Sequence, residues 1–431
     1  MQLTEEVPGA GALARTGGKV THTPHPPFFA TSGPAKPRIV LLGEAWGQSE
    51  DECKRPFVGE SGKELFRMLL EAMPQVAPEL GAAICQQHKY GSAWVRDREQ
   101  WLSEAGIAMT NVLAFRPPSN KIDDLCGAKK EVGEYAGTFA PISHGKYLRE
   151  EFLPELSRLS NELAAWKPNL VVALGNTSCW ALLQATNIGS IRGAITSSNG
   201  CGGREGFGVL EELSVEARGL ASDSAPQQLF NLKVLPTYHP AGVLRQWAWR
   251  PIVVADLMKA HRESQFPEVR RPSRRILVDP TLEEMLAWEQ ETYRLAPAWL
   301  SPDIETASGQ ITCIGFARSS GEALVIPFWD RRKPGWSYWA STWEERQAFD
   351  CMARLLESPI PKVWQNGMYD IQYLCRYGIQ PKANWADTML LHHSMYPELQ
   401  KGLGFLGSIY TNESSWKLMR KRKADTEKKD E

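Results

Sequence analysis

The sequence predicts an α/β protein with two folded domains. At 431 residues the chain is too long for one ordinary domain. Between 37 and 262, short apolar strand-like runs alternate with amphipathic helical segments, which is typical of a parallel sheet covered on both faces. The stretch 263–275 is polar and basic, contains two prolines, and predicts a linker. A second strand-rich segment follows, so we expect a second domain at 276–416.

The remaining segments predict little packed structure. The leader 1–36 is rich in Gly, Ala, Thr and Pro and is predicted to be disordered. Two Gly-rich interruptions, 126–147 and 196–230, are predicted to be loops that contribute little to the core. The tail 417–431 alternates charges and is predicted to be solvated.

Composition narrows the function classes. The formal net charge of −1 excludes a wholly cationic surface, so nucleic-acid binding would need a local basic groove. The sequence shows no signal peptide and no apolar run of membrane-spanning length, which predicts a soluble cytoplasmic protein. The eight cysteines lack Cys-x-x-Cys spacing, which indicates reduced intracellular thiols rather than a disulfide framework or a zinc ribbon.

Two turns nearly two hundred residues apart contain candidate functional side chains. The segments 43–47 and 239–245 each follow an apolar strand-like run. Loops at the carboxyl ends of parallel strands converge on one crevice. We therefore expect Glu44 and His239 to share a pocket.

Further blocks lie between these turns in a characteristic order: Pro56-Phe57-Val58-Gly59, Thr110-Asn111-Val112, Arg116-Pro117-Pro118, and the apolar run 167–175. With these blocks, residues 36–262 resemble the uracil-DNA glycosylase superfamily, particularly its thermophile-type iron–sulfur branch. The resemblance implies a three-layer αβα domain with a central parallel sheet. It also implies a DNA partner and hydrolysis of the N-glycosidic bond of deoxyuridine.

The resemblance implies a role for each motif residue. Glu44 would position the attacking water, and Ala45 would belong to the base-binding set. Phe57 would stack on the extruded base, and Asn111 would use its amide donor and acceptor to recognise the uracil edge. His239 would hydrogen-bond the departing uracil anion. Each of four residues also has a structural alternative. In the order Glu44, Phe57, Asn111 and His239, these are a capping carboxylate, a core ring, a turn asparagine and a structural histidine.

The loop after His239 would contact DNA. Leu244 or Val243 would fill the stack vacated by the base, or would simply pack in the core, and Arg245 would contact phosphate. Trp46 stands where the family usually has proline. Its ring would narrow the pocket, alter specificity or abolish activity, and the sequence does not choose among these.

The iron–sulfur branch has paired cysteines near the amino terminus and one immediately before the Arg-Pro-Pro turn. Here the first 52 residues contain no cysteine, and Phe115 stands before Arg116. A four-thiolate site is therefore not expected. We expect no cofactor in this domain, with apolar packing in place of the cluster.

The second domain contains paired acids. Strands are predicted near 298–304, 311–317 and 323–327, and helices near 343–356 and 370–377. Asp303 and Glu305 alternate on one strand and so share a face. Together with Asp370, they predict a site for Mg²⁺ or Mn²⁺ that hydrolyses phosphodiesters.

These acids lie in the first two of three blocks: Asp303-Ile304-Glu305-Thr306, Asn366-Gly367-Met368-Tyr369-Asp370, and Asp387-Thr388-Met389-Leu390-Leu391-His392-His393. The blocks resemble the ribonuclease H-like proofreading 3′–5′ exonuclease of phage-type family A DNA polymerases, in which the equivalent of Asp387 is not a metal ligand. That family needs one more acid, in a Tyr-x-x-x-Asp or His-x-x-x-Asp element, which this sequence lacks.

These resemblances predict a phage-type fusion of a uracil-DNA glycosylase with an incomplete exonuclease, completed by a separately encoded DNA polymerase. Two alternatives stay open: a proofreading exonuclease subunit with an inert glycosylase-like domain, and a non-catalytic DNA-binding or polymerase-tethering module.

Overall fold

The chain forms two compact units. The computed structural model describes residues 13–16, 19–87, 91–134, 136–198 and 232–413. The first unit comprises Met1–Val269 together with Gly407–Glu431, and the second comprises Arg270–Leu406. Most of the predicted loop 196–230 and the whole charged tail 417–431 lie outside the described residues.

The first unit is built around a mostly parallel sheet. Its described strands are β1 (Leu13–Thr16), β2 (Lys19–His22), β3 (Ile39–Ala45), β4 (Ile107–Leu113), β5 (Cys126–Gly127), β6 (Tyr147–Leu148), β7 (Leu170–Leu174), β8 (Thr196–Ser197) and β9 (Lys233–Thr237). The central sheet has the order β4-β3-β7-β9-β8. Within this sheet, β4, β3, β7 and β9 are parallel to one another, and β8 pairs antiparallel with β9. The predicted α/β class with a central, mostly parallel sheet is confirmed.

Helices cover both faces of this sheet. They are α1 (Gln48–Cys53), α2 (Glu60–Ala72), α3 (Pro78–Cys85), α4 (Ser92–Ala105), α5 (Leu153–Trp166), α6 (Asn176–Leu183), α7 (Ile188–Ile191), α8 (Pro240–Arg245) and α9 (Arg250–Glu263). Val40 and Leu42 pack in one apolar cluster with α5 and α6. Ile39 and Leu41 pack in another with α2, α4 and α9. Because successive side chains of β3 enter opposite clusters, the unit has three layers.

Two sequence predictions differ from this structure. In the predicted disordered leader, His22, Ala30 and Ser32 are buried, and Ser32 forms a β-bridge with Met109. The predicted loop 126–147 contributes buried side chains to the first cluster: Cys126, Ala136, Phe139 and Ile142. Both segments look polar along the chain because their few large apolar side chains are separated by Gly, Pro and Lys.

The first unit is completed from the carboxyl-terminal part of the chain. Lys259 on α9 is 2% exposed and donates hydrogen bonds to the carbonyls of Gly193 (2.9 Å) and Thr411 (2.8 Å). Burial lowers the pKa of Lys259 to about 8. Thr411, which follows the second unit along the chain, therefore accepts a hydrogen bond from a buried cation of the first unit. The predicted first domain, which ended at 262, did not include this residue.

The second unit has a mixed sheet. Its strands are β10 (Arg275–Leu277), β11 (Ser301–Ala307), β12 (Gln310–Ala317), β13 (Glu322–Pro327), β14 (Lys362–Trp364) and β15 (Asn384–Asp387). Four of them form a sheet of order β10-β13-β12-β11, and β14 pairs with β15. A parallel bridge between Leu300 and Lys362 joins the two groups. The ribonuclease H-like assignment stays a prediction.

The helices beside this sheet are α10 (Leu282–Leu295), α11 (Thr342–Glu357), α12 (Gly367–Arg376), α13 (Thr388–Met395) and α14 (Leu403–Tyr410), the last of which continues into the first unit. The predicted linker has no helix or strand from 264 to 274. Among the described helices, none has the length and apolar character needed to cross a membrane.

Candidate functional site

The carboxyl-terminal part of β3 brings a polar amide and an aromatic ring together. Gly43 pairs with Asn111 in the sheet register. A Cβ atom on Gly43 would lie 2.2 Å from Asn111 Oδ1 and 2.5 Å from Phe57 Cζ. Both side chains are at most 5% exposed. The absence of a side chain at Gly43 therefore allows the edge of Phe57 and the amide of Asn111 to flank one point.

Backbone contacts hold Phe57 in an uncommon conformation. Its φ of 56° lies in the left-handed region, which non-glycine residues rarely adopt. The buried Arg98 guanidinium donates a 2.7 Å hydrogen bond to the Phe57 carbonyl. A Cβ on Gly62 would lie 2.0 Å from the same oxygen, so α2 approaches this turn closely.

Glu50 joins the two turns. Its Oε1 accepts from the amides of Val58 (2.9 Å) and Gly59 (2.7 Å), and its Oε2 accepts from that of Gly47 (3.1 Å). One buried carboxylate therefore fixes the segment after Glu44 relative to the segment after Phe57.

Glu44 lies at the end of β3 and is half-buried. Its Oε2 accepts a 2.5 Å hydrogen bond from Thr177 Oγ1, in the first turn of α6. This bond limits the orientations that the carboxylate adopts at the carboxyl ends of the strands.

His239 caps α8 and presents a defined tautomer. Its Nδ1 accepts a 3.2 Å hydrogen bond from the Ala241 amide, so the proton of the neutral ring is on Nε2. Burial lowers the pKa of His239 below its ordinary 6.5, and the nearby charge of Glu44 opposes this in part. The ring centroid lies 6.4 Å from that of Phe57. The charge of Glu44 therefore acts on the His239 ring, and a shared role of the two residues in one pocket stays a prediction.

The two apolar residues of α8 have different environments. Val243 is fully buried in the core, whereas Leu244 is 45% exposed. Arg245 is also exposed at the end of the helix. Of the two wedge candidates, only Leu244 is available to a ligand.

Ala45 and Trp46 pack in apolar clusters that do not include Phe57. Ala45 packs against the core cluster on the α5 side of the sheet. Trp46 is 2% exposed and clusters with Ala30 and Ala114, and its ring stacks 5.5 Å from that of His25. The Trp46 ring therefore packs against the leader. The three alternatives for Trp46, a narrowed pocket, altered specificity or lost activity, stay predictions.

A buried charge network lies behind Asn111. Arg158 Nη2 donates to the Asn111 carbonyl at 2.7 Å, and other guanidinium nitrogens bond Glu155 (3.0 Å) and Glu162 (2.7 Å). Burial alone would lower the pKa of Arg158, but the charges of Glu162 and Glu155 outweigh it and raise the pKa. Arg158 stays charged and fixes the backbone at Asn111.

A family model described as the uracil DNA glycosylase superfamily matches residues 30–260, more than half of the chain. The chain belongs to the uracil-DNA glycosylase superfamily. It is similar to the type-4 uracil-DNA glycosylase of Pyrobaculum aerophilum, with 26% identity over 52% of this chain and 77% of that protein. The type-4 enzymes of Saccharolobus solfataricus (22% identity, 53% and 71% covered) and Archaeoglobus fulgidus (25%, 53% and 77%) are also similar.

The glycosylase unit has aromatic rings where the iron–sulfur branch would have a thiolate ligand. Phe115 lies 4.2 Å from the His22 ring and 5.8 Å from the Phe152 ring, between centroids. His22 in turn hydrogen-bonds Glu155 at 2.7 Å. These residues supply no thiolate and do not fit a four-cysteine cluster.

The candidate metal-binding acids of the second unit lie on or beside β11 and differ in how deeply they are buried. Asp303 and Glu305 are exposed on one face of β11. Asp370 Oδ1 accepts from the Ile304 amide at 2.9 Å, and burial raises the Asp370 pKa, helped by the charges of Asp387 and Glu305. Within the described residues no group of three or more acidic, histidine or cysteine side chains is arranged to hold a metal ion. Metal binding by these acids therefore stays a prediction.

Asp387 has a structural role, as expected. Its carboxylate accepts from the amides of Asn366 (3.1 Å), Gly367 (2.8 Å) and Met389 (2.8 Å), so it joins the first turns of α12 and α13.

Sequence reasoning missed three residues of the glycosylase site. Thr177 follows the glycine that ends β7, and Glu50 stands three residues after Gly47, a spacing typical of a helix amino terminus. Those local signals were present. Arg158 gave no signal, because its acceptors Asn111 and Val112 lie more than forty residues away.

Proposed function

We propose that the first unit hydrolyses the N-glycosidic bond of uracil in DNA. The observation that supports this is the joint approach of Phe57 and Asn111 to Gly43, with the neutral His239 beside them. A planar base stacked on Phe57 would present its edge to the donor and acceptor of Asn111. Family membership and the type-4 relatives point to the same substrate.

In the proposed reaction, bond cleavage leaves the electron pair of the C1′–N1 bond on uracil. His239 Nε2–H donates to a carbonyl oxygen of the uracil anion as its charge develops, which is the usual way that a preorganised donor lowers such a barrier. Glu44, oriented by Thr177, holds the water whose oxygen bonds C1′. That water loses a proton to the solvent, and the uracil anion takes up a proton from the solvent. The products are free uracil and an abasic site, and no lysine nucleophile for strand cleavage is present in these motifs.

We propose that this chemistry needs neither metal nor iron–sulfur cluster. The support is the packing of Phe115, His22 and Phe152, together with the charge network of Arg158. These contacts stabilise the strand of Asn111 without thiolate ligands. Colourless protein, free of iron by elemental analysis and active in EDTA, is the expected result.

The decisive experiment is release of free uracil from a single-uracil oligonucleotide in EDTA, measured by mass spectrometry, with a thymine oligonucleotide as control. Alkali should then cleave the strand at the resulting abasic site. Asn111→Ala should lose most activity on uracil because the base edge loses its partner. No uracil release by the unaltered protein, or equal release by Asn111→Ala, would contradict the proposal.

A second candidate function is metal-dependent 3′ trimming of single-stranded DNA by the second unit. The shared face of Asp303 and Glu305 and the bond between Asp370 and Ile304 favour it. The Tyr-x-x-x-Asp or His-x-x-x-Asp element that supplies a further acid in the family the blocks resemble is not found in this sequence. We therefore propose that this unit acts with a DNA polymerase that supplies this acid, and that the protein alone degrades DNA weakly or not at all. Strong Mg²⁺-dependent trimming by pure protein, abolished by Asp303→Ala, would contradict this.

A further inference from the structure

A large aromatic side chain is exposed beside the loop of His239 and Leu244. Trp247 begins the turn Trp247–Trp249, directly after α8, and is 60% exposed. Other tryptophans of the same unit, such as Trp101 and Trp180, are fully buried. Folding favours burial of a ring of this size, so packing does not explain why it faces solvent here.

A cation packs against one face of the Trp247 ring. The guanidinium of Arg250 lies 5.4 Å from the centroid of the Trp247 ring. Arg250 itself donates to Glu64 (2.8 Å) and Glu71 (2.6 Å) on α2. The exposed indole therefore rests on a cation whose own position is fixed by two carboxylates.

The turn is also anchored to the strand end that precedes His239. Trp249 stacks on Tyr238 with centroids 4.2 Å apart and planes at 13°. A Cβ on Gly242 would lie 3.1 Å from the Trp249 ring, so the turn packs closely on α8. Trp247 thus belongs to the same rigid loop as His239 and Leu244.

We propose that Trp247 stacks on an unpaired base next to the nucleotide in the pocket, and that it directs the enzyme toward single-stranded DNA. This inference rests on the proposed function. A fixed, exposed aromatic ring two residues after the exposed cation Arg245 matches the features that bind single strands, in which bases stack on rings and phosphates meet arginines.

The strand preference follows from base geometry. In a duplex, each neighbouring base is already stacked and paired, and a small wedge such as Leu244 is enough to fill the vacated space. In a single strand, the neighbouring base has a free face that an indole covers. Removing Trp247 should therefore affect single-stranded substrates far more than duplexes.

The test compares Trp247→Ala, Trp247→Phe and the unaltered protein in binding to labelled oligonucleotides that contain no uracil, single-stranded and duplex, by fluorescence anisotropy. Trp343→Ala is the matched control, because Trp343 is 63% exposed on α11 of the second unit. We expect Trp247→Ala to bind single strands about 5- to 100-fold more weakly. Trp247→Phe should lose less, and the duplex affinity should change less than about twofold.

Unchanged single-strand affinity in Trp247→Ala would overturn the inference, as would equal losses on single strands and duplexes or an equal loss in Trp343→Ala. Melting curves check that each variant is folded. Binding to uracil-free DNA does not depend on catalysis. Absence of uracil release by the unaltered protein would therefore contradict the proposed function. It would not affect the binding measurements that test the role of Trp247.

Discussion

The two units each place polar side chains on β-strands, but they support them differently. In the glycosylase unit, Asn111, Phe57 and His239 are held by hydrogen bonds and close backbone contacts from several elements. In the second unit, Asp303 and Glu305 lie exposed on the face of β11, and only Asp370 is buried there.

This difference indicates how far each site is preorganised before a ligand binds. A preorganised site holds its groups before the ligand arrives, and so loses little free energy to reorganisation. Exposed acids of like charge repel one another and need a cation to bring them into register. The first site therefore has the features of a preorganised pocket, whereas metal binding at the second stays a prediction.

The largest expected effect concerns the buried network behind Asn111. Arg158→Met should lower the free energy of unfolding of the first unit by about 3–5 kcal/mol, because it leaves Glu155 and Glu162 buried without their cation. Urea unfolding measures it. Arg294→Met is the control: Arg294 on α10 forms bonds of 2.7 and 2.6 Å to Glu291, and both side chains are exposed. It should leave the free energy of unfolding nearly unchanged. Equal losses of unfolding free energy in the two variants would show that burial does not make the ion pairs of Arg158 more important than an exposed pair.

The next effect concerns the donor at the pocket. His239→Ala should lower kcat for uracil release about 10²- to 10³-fold, the usual result of losing one preorganised donor. His261→Ala is the control, since His261 lies on α9 and contacts Gln75 instead. Similar rates for the two variants would show that His239 does not act on the leaving base.

The pH profile should report the same histidine. Burial depresses the His239 pKa below 6.5, with Glu44 and Glu50 acting to raise it and Arg245 to lower it. The neutral, active form therefore predominates above pH 6.5. Measured kcat/KM should be flat there and fall as the pH drops through the depressed pKa. His239→Gln should be slower and should lose this acidic limb. If the limb persists in His239→Gln, another group titrates.

The smallest effect is expected in the second unit. Asp303→Asn should leave uracil release within about twofold and the urea midpoint unchanged, because exposed surface substitutions rarely affect stability. Excess EDTA should likewise leave uracil release unchanged. A large loss of uracil release in Asp303→Asn would mean that the two sites are functionally coupled.

Much of the first site was predictable because its information is local. The turns at Gly43 and His239 follow apolar runs, and parallel strands bring their carboxyl ends together whatever the intervening sequence. The same reasoning placed Asp303 and Glu305 on one face, since strand side chains alternate. Predicted helices near 343–356 and 370–377 correspond to α11 (Thr342–Glu357) and α12 (Gly367–Arg376).

By itself, the sequence predicted the alternation of strands and helices, the glycosylase superfamily and the candidate pocket residues, because each depends on short spacings along the chain. Only the tertiary structure decided which neighbours support them. Val243 became core and Leu244 surface, Trp46 turned toward the leader, and Arg158 reached the carbonyl of Asn111. Those outcomes depend on burial and on partners distant in sequence, and no local pattern encodes either.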